Sequence, residues 1–304
     1  MHDLCLNEVS LRDGIQSEGT IVPTELKVNI VEALVKSGFK SIQLTSFVHP
    51  KRVPQMADAE ALVAAVPNHS AVMYTGLVLN ERGLDRALDT KLGGIDLSMS
   101  CSNSHSLKNT GLSRAEALAQ TISMVQRAKA EGRHVRAGLQ CAFGCAYEGL
   151  VPFDSVRNLA LELIDAGCDQ ISLADSTGDA SPDEVARLID FIDSPVPLCM
   201  HFHDSRGMAI ANLLEAYRQG VRSFDTSLGG LGGCPFIPEA AGNVATEDAL
   251  YLFEKMGMDL GIDRDDLLPL TESLESALGR TFPSPNYQLK KREGKALKRR
   301  GANL

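Results

Sequence analysis

Gly167-Cys168-Asp169-Gln170-Ile171-Ser172-Leu173-Ala174-Asp175 leads, through a short turn, into Ser181-Pro182-Asp183-Glu184, and the chain returns as Pro197-Leu198-Cys199-Met200-His201-Phe202-His203-Asp204. Gly167 reads as the close of one helix, since a residue after a helix often needs the left-handed backbone that glycine accepts. The apolar run Gln170 to Leu173 is strand-length. Ser181 then offers a capping hydroxyl, Pro182 suits a first helical turn, and two acids face the positive end of the helix dipole. A second apolar run, Pro197 to Phe202, follows that helix. Strand, helix and strand in this order make a parallel crossover unit.

The same unit repeats outward in both directions. Candidate strands are Leu4 to Val9, Ser41 to Thr45, Ala71 to Val78, Gly94 to Met99, His134 to Leu139, Gln170 to Leu173, Pro197 to Phe202 and Ser223 to Thr226. Between the first two, Pro23-Thr24-Glu25 precedes an apolar helical stripe at Leu26, Ile30, Leu34 and Val35, and Gly38, Gly132, Gly167 and Gly220 each stand just ahead of a strand. Eight units without a break in composition predict an α/β fold, a closed (β/α)8 TIM barrel over about residues 1–245. After that the pattern changes to helices only, the first over Thr246 to Met256, and then to a basic tail. No internal repeat or low-complexity linker divides the chain, so residues 1–304 are expected to form a single catalytic domain, a length within the range of such barrels.

Composition narrows the class further. Hydrophobic residues at 44% and charged residues at 23% exclude a collagen, a disordered tail protein and a disulfide-held mini-protein. No apolar run approaches the length of a membrane span, and the N-terminus lacks the basic flank and small-residue cleavage site of a signal peptide, so a cytoplasmic location is expected. The net charge is -9, yet Lys290 to Arg300 holds seven Lys or Arg against one Glu. The remaining body is therefore more acidic than the total, which argues against nucleic acid as the main ligand. The basic segment itself is expected to be a solvated terminus, with attraction of an anionic ligand as the sharper reading. Seven cysteines, an odd number, point to free thiols, and Cys141 and Cys145 lack the spacing of a zinc knuckle.

Barrels of this kind carry their chemistry at the carboxyl ends of the strands. The first strand ends Glu8-Val9-Ser10-Leu11-Arg12-Asp13-Gly14. Arg beside Asp on a turn is ordinarily a surface pair, but here it falls at the barrel mouth. In the seventh strand His201 and His203, two apart, share a face. One inward His is usually a core residue with a satisfied hydrogen bond; two in register beside an acid favour a divalent metal, with Asp13 adding an oxygen from across the barrel. Asp175 ends the sixth strand, where it serves either the site or a helix cap. After the eighth strand, Gly229-Gly230-Leu231-Gly232-Gly233-Cys234-Pro235 places a thiol on a glycine-rich loop suited to close approach to a ligand. A thiol held there is a candidate proton donor or acceptor.

With these residues in place, the chain resembles the 3-hydroxy-3-methylglutaryl-CoA lyases among the metal-dependent aldolase and Claisen-type barrels. The matching segments include Arg12-Asp13-Gly14-Ile15-Gln16, Thr45-Ser46-Phe47-Val48, Val53-Pro54-Gln55-Met56, Cys141-Ala142-Phe143-Gly144-Cys145, His201-Phe202-His203-Asp204, Gly230-Leu231-Gly232-Gly233-Cys234-Pro235 and Gly242-Asn243-Val244-Ala245-Thr246-Glu247-Asp248. The resemblance implies a retro-Claisen cleavage that yields acetyl-CoA and a keto acid. It implies Mg2+ or Mn2+ held by Asp13, His201, His203 and the amide oxygen of Asn243, coenzyme A as part of substrate and product, and a homodimer. Arg12 would stabilise the developing oxyanion, Asp175 and His201 would handle protons, and Cys234 would close over the substrate.

The family pattern also differs at several points near the mouth. Ser10 and Leu11 replace a Gly-Pro, Gly19 replaces a Lys, and Gln43 and Leu44 replace a Glu and a Thr. Gln43 and Leu44 are therefore candidate specificity residues, and citramalyl-CoA, which would give pyruvate, is the alternative substrate. A condensing acyltransferase of the isopropylmalate synthase type is disfavoured by Cys234-Pro235 and by the short C-terminal extension.

Overall fold

The computed structural model describes residues 4–233 and 242–301. Eight parallel strands close into a barrel in chain order: β1 (Cys5–Glu8), β2 (Ser41–Ser46), β3 (Met73–Val78), β4 (Gly94–Ser100), β5 (His134–Gln140), β6 (Gln170–Asp175), β7 (Leu198–Phe202) and β8 (Ser223–Thr226), which pairs back onto β1. Each expected strand is present, with ends displaced by at most two residues. The helices are α1 (Thr24–Lys36), α2 (Ala59–Ala65), α3 (Glu81–Leu88), α4 (Asn103–Thr110), α5 (Arg114–Ala130), α6 (Phe153–Asp165), α7 (Pro182–Ile192), α8 (Ala209–Arg218), α9 (Thr246–Lys255), α10 (Leu267–Leu278) and α11 (Pro285–Gly301).

Alternation along the strands sorts the side chains. In β6 Ile171 and Leu173 are fully buried in the apolar layer beneath the helices, while Ser172 and Ala174 line the barrel interior. In β7 Met200 and Phe202 join that layer and His201 turns inward. Helix α7 begins with the expected capping box: the Ser181 hydroxyl accepts from the Glu184 amide, and the Glu184 carboxylate accepts from the Ser181 amide at 2.9 Å. Gly38 closes α1 with a positive φ of 106°, and a Cβ there would lie 1.9 Å from the Gly261 carbonyl oxygen, so the position is closed to side chains.

The C-terminal helices are sewn to the barrel through two buried acids. Glu8, at the end of β1, accepts from the Thr246 hydroxyl at 2.6 Å, and Glu247 accepts from the Gly229 amide and the Thr271 hydroxyl, both at 2.7 Å. Phe253 of α9 packs against Phe224 of β8 and edge-on to Tyr217 of α8, and burying such a ring contributes about 2–3 kcal/mol. The segment expected as a solvated tail forms helix α11, and its first cations pair within the chain, Lys290 with Asp265 and Lys291 with Glu275. Cys5, Cys101, Cys141, Cys145, Cys168 and Cys199 are free thiols. No described helix is long and apolar enough to cross a membrane.

Candidate active site and metal centre

Immediately after β1 the backbone makes a π-helical turn, Ser10–Gly14, a rare form found mostly at functional sites. Glu8 pins its start, accepting from the Ser10 amide at 2.9 Å and from the Ser10 hydroxyl. Gly14 closes it where a Cβ would come within 2.9 Å of the Ser227 hydroxyl. Arg12 and Asp13 are thereby held side by side at the barrel mouth, the Arg12 guanidinium donating to Asp13 Oδ1. The pair is buried, as its place at the barrel mouth implies.

Asp13, His201 and His203 converge, with ligand atoms all within 4.8 Å of one another, the only such group among the described residues. Asp13 Oδ2 lies 3.8 Å from His201 Nε2 and 3.9 Å from His203 Nε2, and the two Nε2 atoms are 3.2 Å apart. Asn243 joins through a bridge to His203. Its amide nitrogen donates to Asp13 Oδ2 at 2.8 Å and to the Leu231 carbonyl at 3.1 Å, which leaves the buried Asn243 Oδ1 without a hydrogen-bond partner. Two imidazole lone pairs, a carboxylate oxygen and a partnerless amide oxygen form a donor set that fits a divalent cation, the oxygens favouring a hard one.

The electrostatics agree with that fit. Burial pushes the Asp13 carboxyl up, but Arg12 first, then the two imidazoles and the Asn243 amide, outweigh it and bring its pKa down to about 2. Burial, with His201 adding to it, lowers His203 to about 4, so its imidazole is neutral near pH 7 and keeps a lone pair for a metal. His201 Nδ1 lies 3.0 Å from Asp225 Oδ2, a contact of the kind that orients an imidazole able to hold a metal. Burial would raise Asp225, yet the adjacent Arg136 and then His201 hold it far below the usual carboxylate range.

Beneath the cluster runs a charged layer that sequence reasoning missed. Arg136 on β5 donates to Asp225 on β8 at 2.6 Å and grips Asp96 on β4 with two bonds of 2.9 Å. The Gln43 amide on β2 donates to Asp96, and its carbonyl oxygen accepts from Arg12 Nε. A signal was present: Asp96 and Arg136 are opposite charges inside runs otherwise read as core, and the barrel sets them in register. Arg12, Asp13, Gln43, His201 and His203 all line a cavity of about 180 Å³ at the carboxyl ends of the strands. A larger cavity of about 740 Å³ opens at the opposite end, among Cys5, Lys40, His134 and Arg222, without a comparable cluster.

Two expected site residues are placed otherwise. Asp175 is fully buried, and its two carboxylate oxygens accept from the Asp179 and Ala180 amides at 3.1 and 3.0 Å. Strand alternation turns it away from the cavity that Ala174 and Ser176 line, so the structure puts it at the start of the loop to α7 and not in the cluster. Leu44 is likewise turned outward, 1% exposed in the apolar layer, because it alternates with Gln43; it does not line the cavity and cannot read a substrate there. Cys234 lies outside the described residues, though its neighbour Gly233 borders the cavity.

Comparison with known proteins shows the family. The HMGL-like family profile matches residues 3–273. A hydroxymethylglutaryl-CoA lyase of Bacillus subtilis is 36% identical over 287 residues, covering 93% of this chain and 96% of that protein. The (R)-citramalyl-CoA lyase of Chloroflexus aurantiacus is 34% identical over 297 residues, covering 93% and 94%. Among solved structures, the HMG-CoA lyase of Bacillus subtilis superposes with a TM-score of 0.92 at 36% identity, covering 96% of this chain and 99% of that one. An HMG-CoA lyase from Acinetobacter baumannii, in complex with coenzyme A and 3-methylmalate, gives 0.89 at 36% identity with 93% of each chain covered.

Proposed function

The chain belongs to the HMGL-like family, and from that premise we propose that it cleaves 3-hydroxy-3-methylglutaryl-CoA, or a close analogue, to acetyl-CoA and acetoacetate. The observation that carries the reading is the buried junction of Asp13, His201, His203 and the partnerless Asn243 Oδ1 at the barrel mouth, with Arg12 beside it. A divalent cation held by these four residues, Mg2+ or Mn2+, would supply Lewis acidity toward the substrate's hydroxyl and carbonyl oxygens.

In the reaction the tertiary hydroxyl loses its proton, the neighbouring carbon-carbon bond breaks, and its electron pair passes into a thioester enolate. One proton returned to the enolate carbon gives acetyl-CoA, so no oxidant or reductant is needed. Arg12 keeps its guanidinium at the cavity wall, where fixed positive charge acts on negative charge that develops in the transition state. Asp225 holds the His201 ring so that Nε2 faces the cavity. Cys234, one residue beyond Gly233, is assigned the return of the proton. Asp175 orders the loop that leads to α7, a positioning role in place of proton handling.

Citramalyl-CoA is the second reading. It is favoured by Gly19, which leaves open space where the family pattern has a cation, and by the 34% identity to a citramalyl-CoA lyase. Side-by-side assays of both esters with Mg2+ or Mn2+ decide the matter: acetoacetate from the first ester supports the main reading, and pyruvate from the second alone supports the other. Titration with Mn2+ tests the site itself. Saturation at a hundred times the Kd should stabilise the fold by about 2.7 kcal/mol, and Asp13→Ala combined with His201→Ala should abolish that shift. A shift that survives both substitutions would refute the ligand set.

A further inference from the structure

We infer that Asp96 and Gln43 act together as a positioning pair for Arg12, the carboxylate standing on β4 and the amide on β2 carrying its pull to the guanidinium. The inference rests on the lyase reading, and it adds Asp96, a residue outside every motif that carries the resemblance. Gln43 is 1% exposed and Asp96 3%. Asp96 accepts from Nε and Nη2 of Arg136, each at 2.9 Å, from the Thr75 hydroxyl at 2.6 Å and from the Gln43 amide nitrogen. Gln43 Oε1 in turn accepts from Arg12 Nε, and Arg12 Nη1 donates to Asp13.

The chemistry of the partners fixes which way the Gln43 amide points. A guanidinium only donates and a carboxylate only accepts, so the carbonyl must face Arg12 and the NH2 must face Asp96; a flip would break both contacts. Arg136 anchors two arms at once, one through Asp225 to His201 and the other through Asp96 and Gln43 to Arg12. The ligating imidazole and the cation beside it are thus registered to a single buried group. Both ends of the Gln43 amide are taken up by the protein, so its work is orientation more than contact with the acyl tail.

This predicts a charge-relocation cycle. Gln43→Glu alone sets two carboxylates against each other with no proton between them, and Asp96→Asn alone leaves Arg136 with one carboxylate in place of two. In the double variant, the carboxylate introduced on β2 accepts from Arg12 and from the amide nitrogen introduced on β4, while the oxygen of that new amide keeps the bond from Arg136 Nε and only the Arg136 Nη2 bond, which shares an Asp96 oxygen with Gln43, is given up. Each single variant should lower kcat at least about tenfold with a smaller change in KM, and the double variant should recover kcat to within about threefold of wild type. The thermal midpoint should follow the same order, lowered in both single variants and restored in the double, which reads the pairing independently of turnover. Wild-type inactivity on both CoA esters would overturn the lyase reading while that thermal cycle still reports on the pair. An active wild type whose Gln43→Glu variant keeps full kcat, or a double variant no better than the weaker single in kcat and midpoint, would overturn the positioning role.

Discussion

Asp13 answers three demands at once: it faces two imidazoles, pairs with Arg12 and accepts from Asn243. Its neighbours explain why a carboxylate so deeply buried remains ionised. Two predictions belong at this scale. Asp225→Asn replaces an acceptor-only group beside His201 Nδ1 with one that can also donate, which destabilises the tautomer that presents Nε2; calorimetry should show Mn2+ affinity weakened by about 10- to 100-fold. Arg12→Ala should leave Mn2+ binding intact and lower kcat by about 100- to 1,000-fold, and a loss confined to KM would assign Arg12 to substrate capture. His201, His203 and Asp13 were legible because period-two alternation and barrel topology fix which way they face. Asp96, Arg136 and Asp225 were not, because each lies inside a run whose apolar neighbours read as core. Leu44 stands out by its departure from the family pattern and Asp175 by its place at a strand end, and alternation turns both away from the cavity; of the two readings open for Asp175, its bonds from the Asp179 and Ala180 amides favour the turn.

The seam between barrel and extension depends on Glu8 and Glu247, which bridge β1, the turn after β8, α9 and α10. Burial, partly offset by the Thr271 hydroxyl, pushes Glu247 up to about 7. An acid raised in the folded state stabilises the fold fully below its unfolded pKa, near 4.5, and that contribution is lost as pH rises through about 7. His203, lowered to about 4, runs the other way over part of the same range. Comparison with Glu247→Gln isolates the acid. Between pH 5 and pH 8 the stability of wild type relative to that variant should fall by about 2.5 kcal/mol in denaturant titrations, and a constant difference would contradict the assignment. At this scale the sequence spoke clearly for strands and caps, since alternation and Ser181-Pro182 are local signals. It was silent about the π-helical turn, whose geometry comes from Glu8 and Ser227 across the barrel seam, and about α11, where a basic composition concealed a helix anchored by Tyr287, which is 1% exposed.

For the molecule as a whole, closure of eight strands gathers the turn after β1, the end of β7 and the segment after β8 at one mouth, so that Asp13 and Asn243 bond across 230 positions of sequence. The layer of Asp96 and Arg136 borders both this cavity and the larger one at the opposite end, so it partitions the barrel interior. Net charge works against capture of a polyanionic CoA ester, and at the mouth Arg12, with any cation the neighbouring cluster holds, would supply the local attraction. Metal-dependent cleavage is tested most sharply by product analysis after the protein is stripped with a chelator and supplied with 3-hydroxy-3-methylglutaryl-CoA, before and after Mg2+ or Mn2+ is restored. Equimolar acetyl-CoA and acetoacetate should form only with the metal present; a restored protein that releases no acetyl-CoA, or one equally active in chelator, would contradict it.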